Sequence, residues 1–282
     1  MSVAVTLQPK ARSARSVNLR YNGNMTTKPV SIKHSRISAG GAIPLVCAPI
    51  LASSPKKAAN QARIIASANI LPDIIEIRLD SDTTLNAAAA RKILAATRPI
   101  LGDIPLLGTL RSTREGGLWK GSATETADIL RTIITDGLCS LIDIEYTLEP
   151  ELRNMLIALA KEHQIVSVVS LHQWNPPSDD ADFIETLLQL HACGGDMIKF
   201  AVMAHTSQMG WRLLISALHV TETIDTPVIA LAMGEAGAVT RLAGPLFGSC
   251  LSFASVVQSS APGQLSLREV REYWQNAGIR NL

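Results

Sequence analysis

Eight short apolar runs, each followed by a segment of helical periodicity, constrain the fold of this chain more than any other feature. Near-continuous apolar runs are typical of parallel strands, which are buried on both faces of a sheet. Eight strand–helix units within about 240 residues predict a single-domain (β/α)8 TIM barrel of the α/β class. The predicted strands cover 44–51, 73–80, 105–111, 140–145, 165–172, 196–203, 227–233 and 247–253.

The helices predicted between these strands carry start signals. Ser122 and Ser266 are followed three residues later by Glu125 and Glu269, which is the capping-box pattern. A doubly wound sheet is the alternative fold, but it normally has a glycine fingerprint after its first strand, and residues 51–55 lack one. The predicted helices cover 54–70, 84–97, 122–136, 150–162, 179–193, 207–220, a short segment after 237 and 266–277, and a short strand pair is predicted over 29–38.

The N-terminal part of the chain differs from the rest in charge. The first 72 residues hold ten Lys or Arg and no Asp or Glu, so the remainder carries 16 basic and 24 acidic residues, a net charge of −8. An acidic main part disfavours nucleic acid as a partner. Residues 1–24 are predicted to be a disordered extension before a barrel domain over 25–282. They lack the apolar stretch of a secretory signal, but a transit peptide, a native extension and an added leader fit them equally.

Several functional classes lack support in the sequence. No run approaches 18 consecutive apolar residues, so no membrane partner is predicted. The four cysteines are widely spaced and form no CxxC pair, which argues against a zinc site or a disulfide framework and suits a reducing cytoplasm. The six histidines include neither HxH nor HExxH, so no metal centre is predicted.

Lys199 is the most informative single residue. It interrupts the apolar strand 196–203, where alternation places it on one face with Met197, Ala201 and Met203. A buried ammonium ion must be paired or lose its charge, and a lysine with a lowered pKa is a good nucleophile toward a ketone. A lysine near a strand end can also reach water or pair with an acid.

Polar side chains also interrupt the other strands near their C-terminal ends, where barrel enzymes hold their active sites. Each alone has a structural explanation, such as an ion pair or a hydrogen-bonded core histidine. Together they place an amine, an imidazole, carboxylates and guanidinium groups at one mouth. Two loops at the same end add Arg241, after the glycine-bearing turn 233–237, and the Pro-Gly segment 259–264. The strand residues are Glu76, Arg78, Asp80, Thr109, Arg111, Asp143, Glu145, Ser170 and His172.

Six stretches resemble type I 3-dehydroquinate dehydratases, in that family's order and from about residue 30 to the C-terminus. They are EIR at 76–78, RSTREGG at 111–117, the strand end at His172, DMIK at 196–199, the segment 233–249 with its MG, RLAG and FGS motifs, and SAPGQ at 260–264. The resemblance implies a (β/α)8 barrel, usually a homodimer, that converts 3-dehydroquinate to 3-dehydroshikimate in the shikimate pathway. It implies neither a metal nor a soluble cofactor.

The resemblance also assigns roles to residues. Lys199 would form an imine with the C3 ketone of the substrate. His172 would remove the C2 proton and then protonate the departing C1 hydroxyl, which gives syn elimination. Glu115 would orient His172, and Arg241 would bind the substrate carboxylate. The ring hydroxyls and carboxylate would also contact Glu76, Arg78, Arg111, Ser260 and Gln264.

The chain departs from the family's pattern at four positions that leave the mechanistic residues in place. Leu171 and Gln173 flank the histidine where an aromatic residue and an acid are common, Ala204 replaces a proline, and Ala232 replaces a serine. The nearest rival is a class I aldolase or transaldolase, which shares the Schiff-base lysine but needs a phosphate cup. A non-catalytic binding barrel is a second rival, although it has no need of a costly buried lysine.

Overall fold

The computed structural model describes residues 27–33, 38–41, 43–175 and 179–279. The predicted N-terminal extension lies outside these residues. Within the described part, the strands are β1 (Val30–Ser31), β2 (Ser38–Ala39), β3 (Leu45–Leu51), β4 (Ile74–Arg78), β5 (Leu106–Thr109), β6 (Leu141–Glu145), β7 (Val166–Gln173), β8 (Met197–Met203), β9 (Val228–Met233) and β10 (Leu251–Phe253). The helices are α1 (Pro55–Ala66), α2 (Ala87–Leu101), α3 (Ala123–Thr135), α4 (Pro150–Glu162), α5 (Asp180–Ala192), α6 (Ser207–Thr221), α7 (Val239–Ala243) and α8 (Leu267–Asn276).

The strands β3 to β10 form one parallel sheet that curls into a barrel. Their order is β10-β3-β4-β5-β6-β7-β8-β9, with parallel pairing at every step. The two end strands meet where the Cys250 N–H donates to the Val228 carbonyl oxygen at 2.9 Å, and a parallel bridge joins Val228 to Ser249. The predicted (β/α)8 barrel is therefore confirmed. No helix in the described ranges has the length and apolarity that crossing a bilayer requires.

Most elements lie within a few residues of the predicted ranges, and two differences have a clear local cause. The eighth barrel strand covers Leu251–Phe253 instead of 247–253, because Gly244–Phe247 forms a 3-10 turn that Gly248 ends in the left-handed region, at φ +85°. The helix after β9 is short, as predicted, with five residues. Helix α2 begins later than predicted because the Asn86 side chain accepts a hydrogen bond from the Ala89 N–H and so caps the helix there.

Alternate side chains of each strand face the helices or the barrel interior. Ile75 and Ile77 of β4 pack with Ile93 of α2 in the outer layer, whereas Ile74 belongs to an interior cluster with Met197. This alternation explains why the strands are apolar on both faces in the N-terminal half of the barrel. It also aims the polar residues that follow in each strand into the barrel, at its C-terminal end.

The antiparallel strands β1 and β2 close the N-terminal end of the barrel. Ile32 and Ala39 are buried in the same interior cluster as Leu45. Lys28 fixes this segment to Asp225 through a backbone hydrogen bond and an ion pair of 2.6 Å. The short strand pair predicted from the sequence thus forms an apolar plug beneath the barrel.

Candidate active site

A cavity opens to solvent at the C-terminal end of the barrel. Its few converging polar groups among apolar side chains suit a small polar organic ligand. All nine residues that the sequence predicts for the site line the cavity, together with Trp174, Met233 and Phe253 among others. The nine are Glu76, Arg78, Arg111, Glu115, His172, Lys199, Arg241, Ser260 and Gln264.

Lys199 lines this cavity, and the residue as a whole is 5% exposed. Its Nζ atom is 4.2 Å from the centre of the Phe253 ring and 3.9 Å from Asp143 Oδ2. Burial lowers the pKa of Lys199, while the carboxylates of Glu76 and Asp143 oppose that fall. The side chain therefore combines an accessible nitrogen with a reduced affinity for its proton, as an amine nucleophile requires.

His172 lies on β7, next to the lysine strand, in register with Ala201. Its Nδ1 is 2.9 Å from Glu115 Oε2, and the same oxygen accepts the His172 backbone N–H at 3.0 Å. Burial, reinforced by the positive charges of Arg111, Lys199 and Arg78, holds the pKa of His172 well below its usual range. A neutral imidazole that donates from Nδ1 to Glu115 presents a lone pair at Nε2, so it can act as a base.

Glu115 is itself held by several donors. Thr147 Oγ1 donates to Oε1 at 2.9 Å, and Arg111 Nη1 donates to Oε2 at 3.0 Å. Burial raises the pKa of Glu115 to about 7, although the charge of Arg111 opposes the rise. The carboxylate can therefore fix the imidazole and stabilise a positive charge on it.

Arg111 is the centre of a buried ion cluster. Its Nη1 donates to Glu115, to Glu145 Oε1 at 2.9 Å and to Ser170 Oγ at 3.1 Å, and its Nη2 donates to Asp143 Oδ2 at 2.7 Å. Burial alone would lower the pKa of Arg111, but the surrounding carboxylates outweigh it and raise the pKa. Because both terminal nitrogens already have protein partners, these contacts give Arg111 the task of holding carboxylates in place.

The segment that carries Glu115 depends on two glycines. Gly116 has φ +83°, and a Cβ atom there would lie 2.2 Å from the Trp174 ring. A Cβ atom at Gly117 would lie 2.1 Å from the Arg111 carbonyl oxygen. The Glu-Gly-Gly sequence is therefore required for the chain to turn sharply while Glu115 points at His172.

Two further polar pairs fix the side chains of Arg78 and Glu76, which line the cavity. The guanidinium of Arg78 donates Nε and Nη2 to the two oxygens of Asp80, each at 2.8 Å, and the Leu118 N–H donates to Asp80 at 3.1 Å. Thr109 Oγ1 donates to Glu76 Oε1 at 3.0 Å. Glu76 and Arg78 are thus held in place while they still line the cavity.

Arg241 is a buried cation without an acidic partner among the described residues. Its Nη1 donates to the Phe253 carbonyl oxygen at 3.2 Å, and within the described ranges its Nε has no hydrogen-bond partner. Burial lowers the pKa of Arg241 to about 10. An uncompensated guanidinium that lines a cavity is suited to bind an anion there.

The loop 259–264 covers one side of the mouth. The Ser260 N–H donates to Gln264 Oε1 at 2.8 Å, and the Gly234 N–H donates to the Pro262 carbonyl oxygen at 3.1 Å. The Gln264 Nε2 is buried and lacks a partner within the described part of the chain. The amide group of Gln264 is therefore available to donate a hydrogen bond to a ligand.

Two residues of the site were not among the predicted ones. Phe253 covers Lys199, and Trp174 packs on Gly116 and lines the cavity. Asp80, which the sequence places on one strand face with Glu76 and Arg78, holds Arg78. As for metals, the described residues contain no group of three or more His, Cys, Asp or Glu side chains arranged to hold an ion.

The fold and the cavity together define a (β/α)8-barrel enzyme with a buried amine at the C-terminal mouth. A family model described as type I 3-dehydroquinase matches residues 46–281. The chain therefore belongs to the type I 3-dehydroquinase family, as the sequence motifs indicated.

Individual relatives agree with this assignment. The chain is 34% identical over 243 residues to the 3-dehydroquinate dehydratase of Lactiplantibacillus plantarum, covering 86% of this chain and 95% of that protein. Among solved structures, the 3-dehydroquinate dehydratase of Geobacillus kaustophilus is 31% identical with a TM-score of 0.82, and covers 89% of this chain and 96% of that one. A type I enzyme of Clostridium difficile, covalently modified by comenic acid, is 29% identical with a TM-score of 0.82 over 88% of this chain and 96% of that one.

Proposed function

We propose that this protein dehydrates 3-dehydroquinate to 3-dehydroshikimate through an imine on Lys199. The observation that carries the proposal is a buried amine with a lowered pKa in the same cavity as the His172–Glu115 pair. The amine nitrogen attacks the C3 ketone, and the oxygen leaves as water. The resulting iminium withdraws electrons from C2 and makes its hydrogen acidic.

His172 then acts as base and acid in turn. Its Nε2 takes the C2 proton, and Glu115 stabilises the imidazolium that forms. The same proton is returned to the C1 hydroxyl as the carbon–oxygen bond breaks, so that water leaves from the face that lost the proton. Hydrolysis of the iminium releases the unsaturated ketone and restores the lysine.

The remaining cavity residues bind the substrate. Arg241, a cation without a carboxylate partner in the described residues, takes the substrate carboxylate. Glu76, Arg78, Ser260 and Gln264 face the ring hydroxyls. Arg111 contributes by holding Glu115, although a direct contact to substrate stays a prediction.

Borohydride reduction in the presence of 3-dehydroquinate tests the mechanism and the substrate together. We expect a covalent adduct on Lys199, located by peptide mass mapping, and its absence in Lys199→Ala. Formation of dehydroshikimate is followed by its ultraviolet absorbance. If neither adduct nor product appears, the dehydratase proposal fails, and sugar-phosphate aldol substrates become the next to try.

Family membership supports further proposals about context. We assign the reaction to the shikimate pathway in the cytoplasm, with residues 25–282 as one catalytic domain and a homodimer as the assembly. Light scattering at several concentrations tests the dimer, and a monomer at all of them contradicts it. Deletion of residues 1–24 tests the domain boundary, because activity and melting temperature are expected to be retained.

A further inference from the structure

Asp143 differs from the other carboxylates of the cluster in how completely the protein holds it. Its Oδ2 accepts from Arg111 Nη2 and its Oδ1 accepts from Ser170 Oγ, both at 2.7 Å. The residue is 3% exposed and does not line the cavity, so it cannot turn to bind a substrate. Its Oδ2 nevertheless lies 3.9 Å from Lys199 Nζ.

The surroundings of Lys199 single out Asp143 as a permanent neighbour. Glu76 also acts on the charge of the lysine, but it lines the cavity, where a bound substrate would engage it. The Phe253 ring covers the amine from β10. The titratable or charged groups that act on the amine from the surrounding elements are Cys47 on β3, Glu76 on β4, Arg111 beyond β5, Asp143 on β6 and His172 on β7.

We propose that Asp143 is the fixed counterion of the Lys199 nitrogen and stabilises the iminium that this lysine forms. The inference rests on the proposed imine mechanism. In that step the amine and the ketone, with one proton from solvent, give the iminium and water, so the nitrogen keeps one hydrogen and a full positive charge. A carboxylate already oriented by Arg111 and Ser170 stabilises this charge without reorganising.

The same contact affects the enzyme before substrate binds. Burial lowers the pKa of Lys199, and the carboxylates of Glu76 and Asp143 hold it up. Removing the charge of Asp143 therefore has two effects of opposite sense. The amine loses its proton at a lower pH, while the iminium becomes less stable.

The test compares Asp143→Asn with Glu145→Gln. Glu145 accepts from the same guanidinium and from the Ser112 N–H, but it forms no ion pair with Lys199. Carbamylation of Lys199 by cyanate, followed by mass spectrometry across pH, measures its neutral fraction. Borohydride trapping with 3-dehydroquinate measures its iminium.

In Asp143→Asn, we expect the carbamylation profile to move to lower pH by about one unit or more, as loss of an opposite charge within a few ångströms predicts. The trapped fraction and kcat should fall roughly tenfold or more. Glu145→Gln weakens the hold on Arg111 and should leave the carbamylation profile of the wild type in place. A merely structural Asp143 would give the two variants the same behaviour, and that result overturns the proposal.

The outcomes separate this inference from the mechanism beneath it. Suppose that borohydride traps an adduct on Lys199 of the wild type, and that Asp143→Asn has the same carbamylation profile and the same trapped fraction. The counterion role is then wrong, while the dehydratase proposal stands. If borohydride traps no adduct on Lys199 of the wild type, the imine mechanism itself fails. Should Asp143→Asn not fold, Ser170→Ala replaces it, because this change removes the hydroxyl that fixes Oδ1. Because Ser170 also accepts from Arg111, its variant is compared with Glu145→Gln: a larger fall in trapping supports the proposal, and trapping equal to that of Glu145→Gln overturns it.

Discussion

Glu115 binds His172 twice through a single oxygen, since Oε2 accepts both the backbone N–H at 3.0 Å and Nδ1 at 2.9 Å. The imidazole is therefore fixed in position and in tautomer by one carboxylate. That carboxylate is in turn held by Arg111 and Thr147. Catalysis by His172 should depend on this hold more than on the basicity of the imidazole alone.

Replacing Glu115 with Gln tests how the carboxylate of Glu115 supports His172. The amide keeps the shape, and its oxygen can still accept from the His172 backbone N–H and from Arg111, but it carries no negative charge to stabilise the imidazolium. We expect kcat to fall roughly 10²- to 10⁴-fold. Borohydride trapping on Lys199 should persist, because the amine is untouched. A variant with wild-type kcat would show that the charge of Glu115 does not contribute to catalysis by His172.

The same variant should change how stability depends on pH. Burial raises the folded-state pKa of Glu115 from 4.5 to about 7. A group whose pKa is raised on folding contributes stability that is complete below its unfolded pKa and is lost as pH rises through its folded pKa. The stability of the wild type relative to Glu115→Gln should therefore decline between pH 4.5 and about 7. Urea unfolding of both proteins across this range measures it, and a constant difference would contradict the prediction.

Arg241 should reveal a conflict between stability and binding. Its guanidinium is buried without a carboxylate partner in the described residues, so Arg241→Met is expected to stabilise the ligand-free protein, by about 1 kcal/mol or more. KM should rise roughly tenfold to a hundredfold through loss of a charge-assisted contact. Calorimetry and steady-state kinetics measure the two effects. A less stable variant with unchanged KM would assign Arg241 to the fold.

Gly116 and Gly194 form a matched pair for testing the turn behind Glu115. Both have positive φ, +83° and +76°, but a Cβ atom meets the Trp174 ring at 2.2 Å in the first and nothing within 4 Å in the second. Gly194→Ala should cost about 1 kcal/mol in unfolding free energy through backbone strain and leave kcat unchanged. Gly116→Ala should cost more and also lower kcat. Equal losses would mean that Trp174 moves aside freely.

Much of the site could be predicted because a barrel brings distant strand ends together. Alternation placed Lys199, His172 and Asp143 on inward faces, and parallel strands point their C-terminal ends the same way. The contact between Lys199 and Phe253 could not be predicted, since it joins β8 to β10 past the point where the barrel closes at β9. Its distance depends on barrel closure, which the sequence pattern does not encode.

The hydrogen-bond partners of Arg111 could not be predicted from the sequence either. Its acceptors come from its own loop and from β6 and β7, and each of these side chains could instead have faced a ligand. Which polar groups satisfy each other is decided by side-chain geometry, so the sequence indicated the set of residues but not their pairing. The shortened eighth strand has a local cause, because the glycines at 244 and 248 bracket a tight turn.

The packed side chains of the barrel interior, with Ile32 and Ala39 beneath them, close the cavity from below in the described structure. Substrate and product must then pass through the same opening, which lies beside the loop 259–264 and Trp174. A new substrate molecule cannot enter until the product has left. When the chemical steps are fast, the rate of product release through this opening therefore limits turnover. A ligand wide enough to cover this opening would inhibit the enzyme without contacting Lys199.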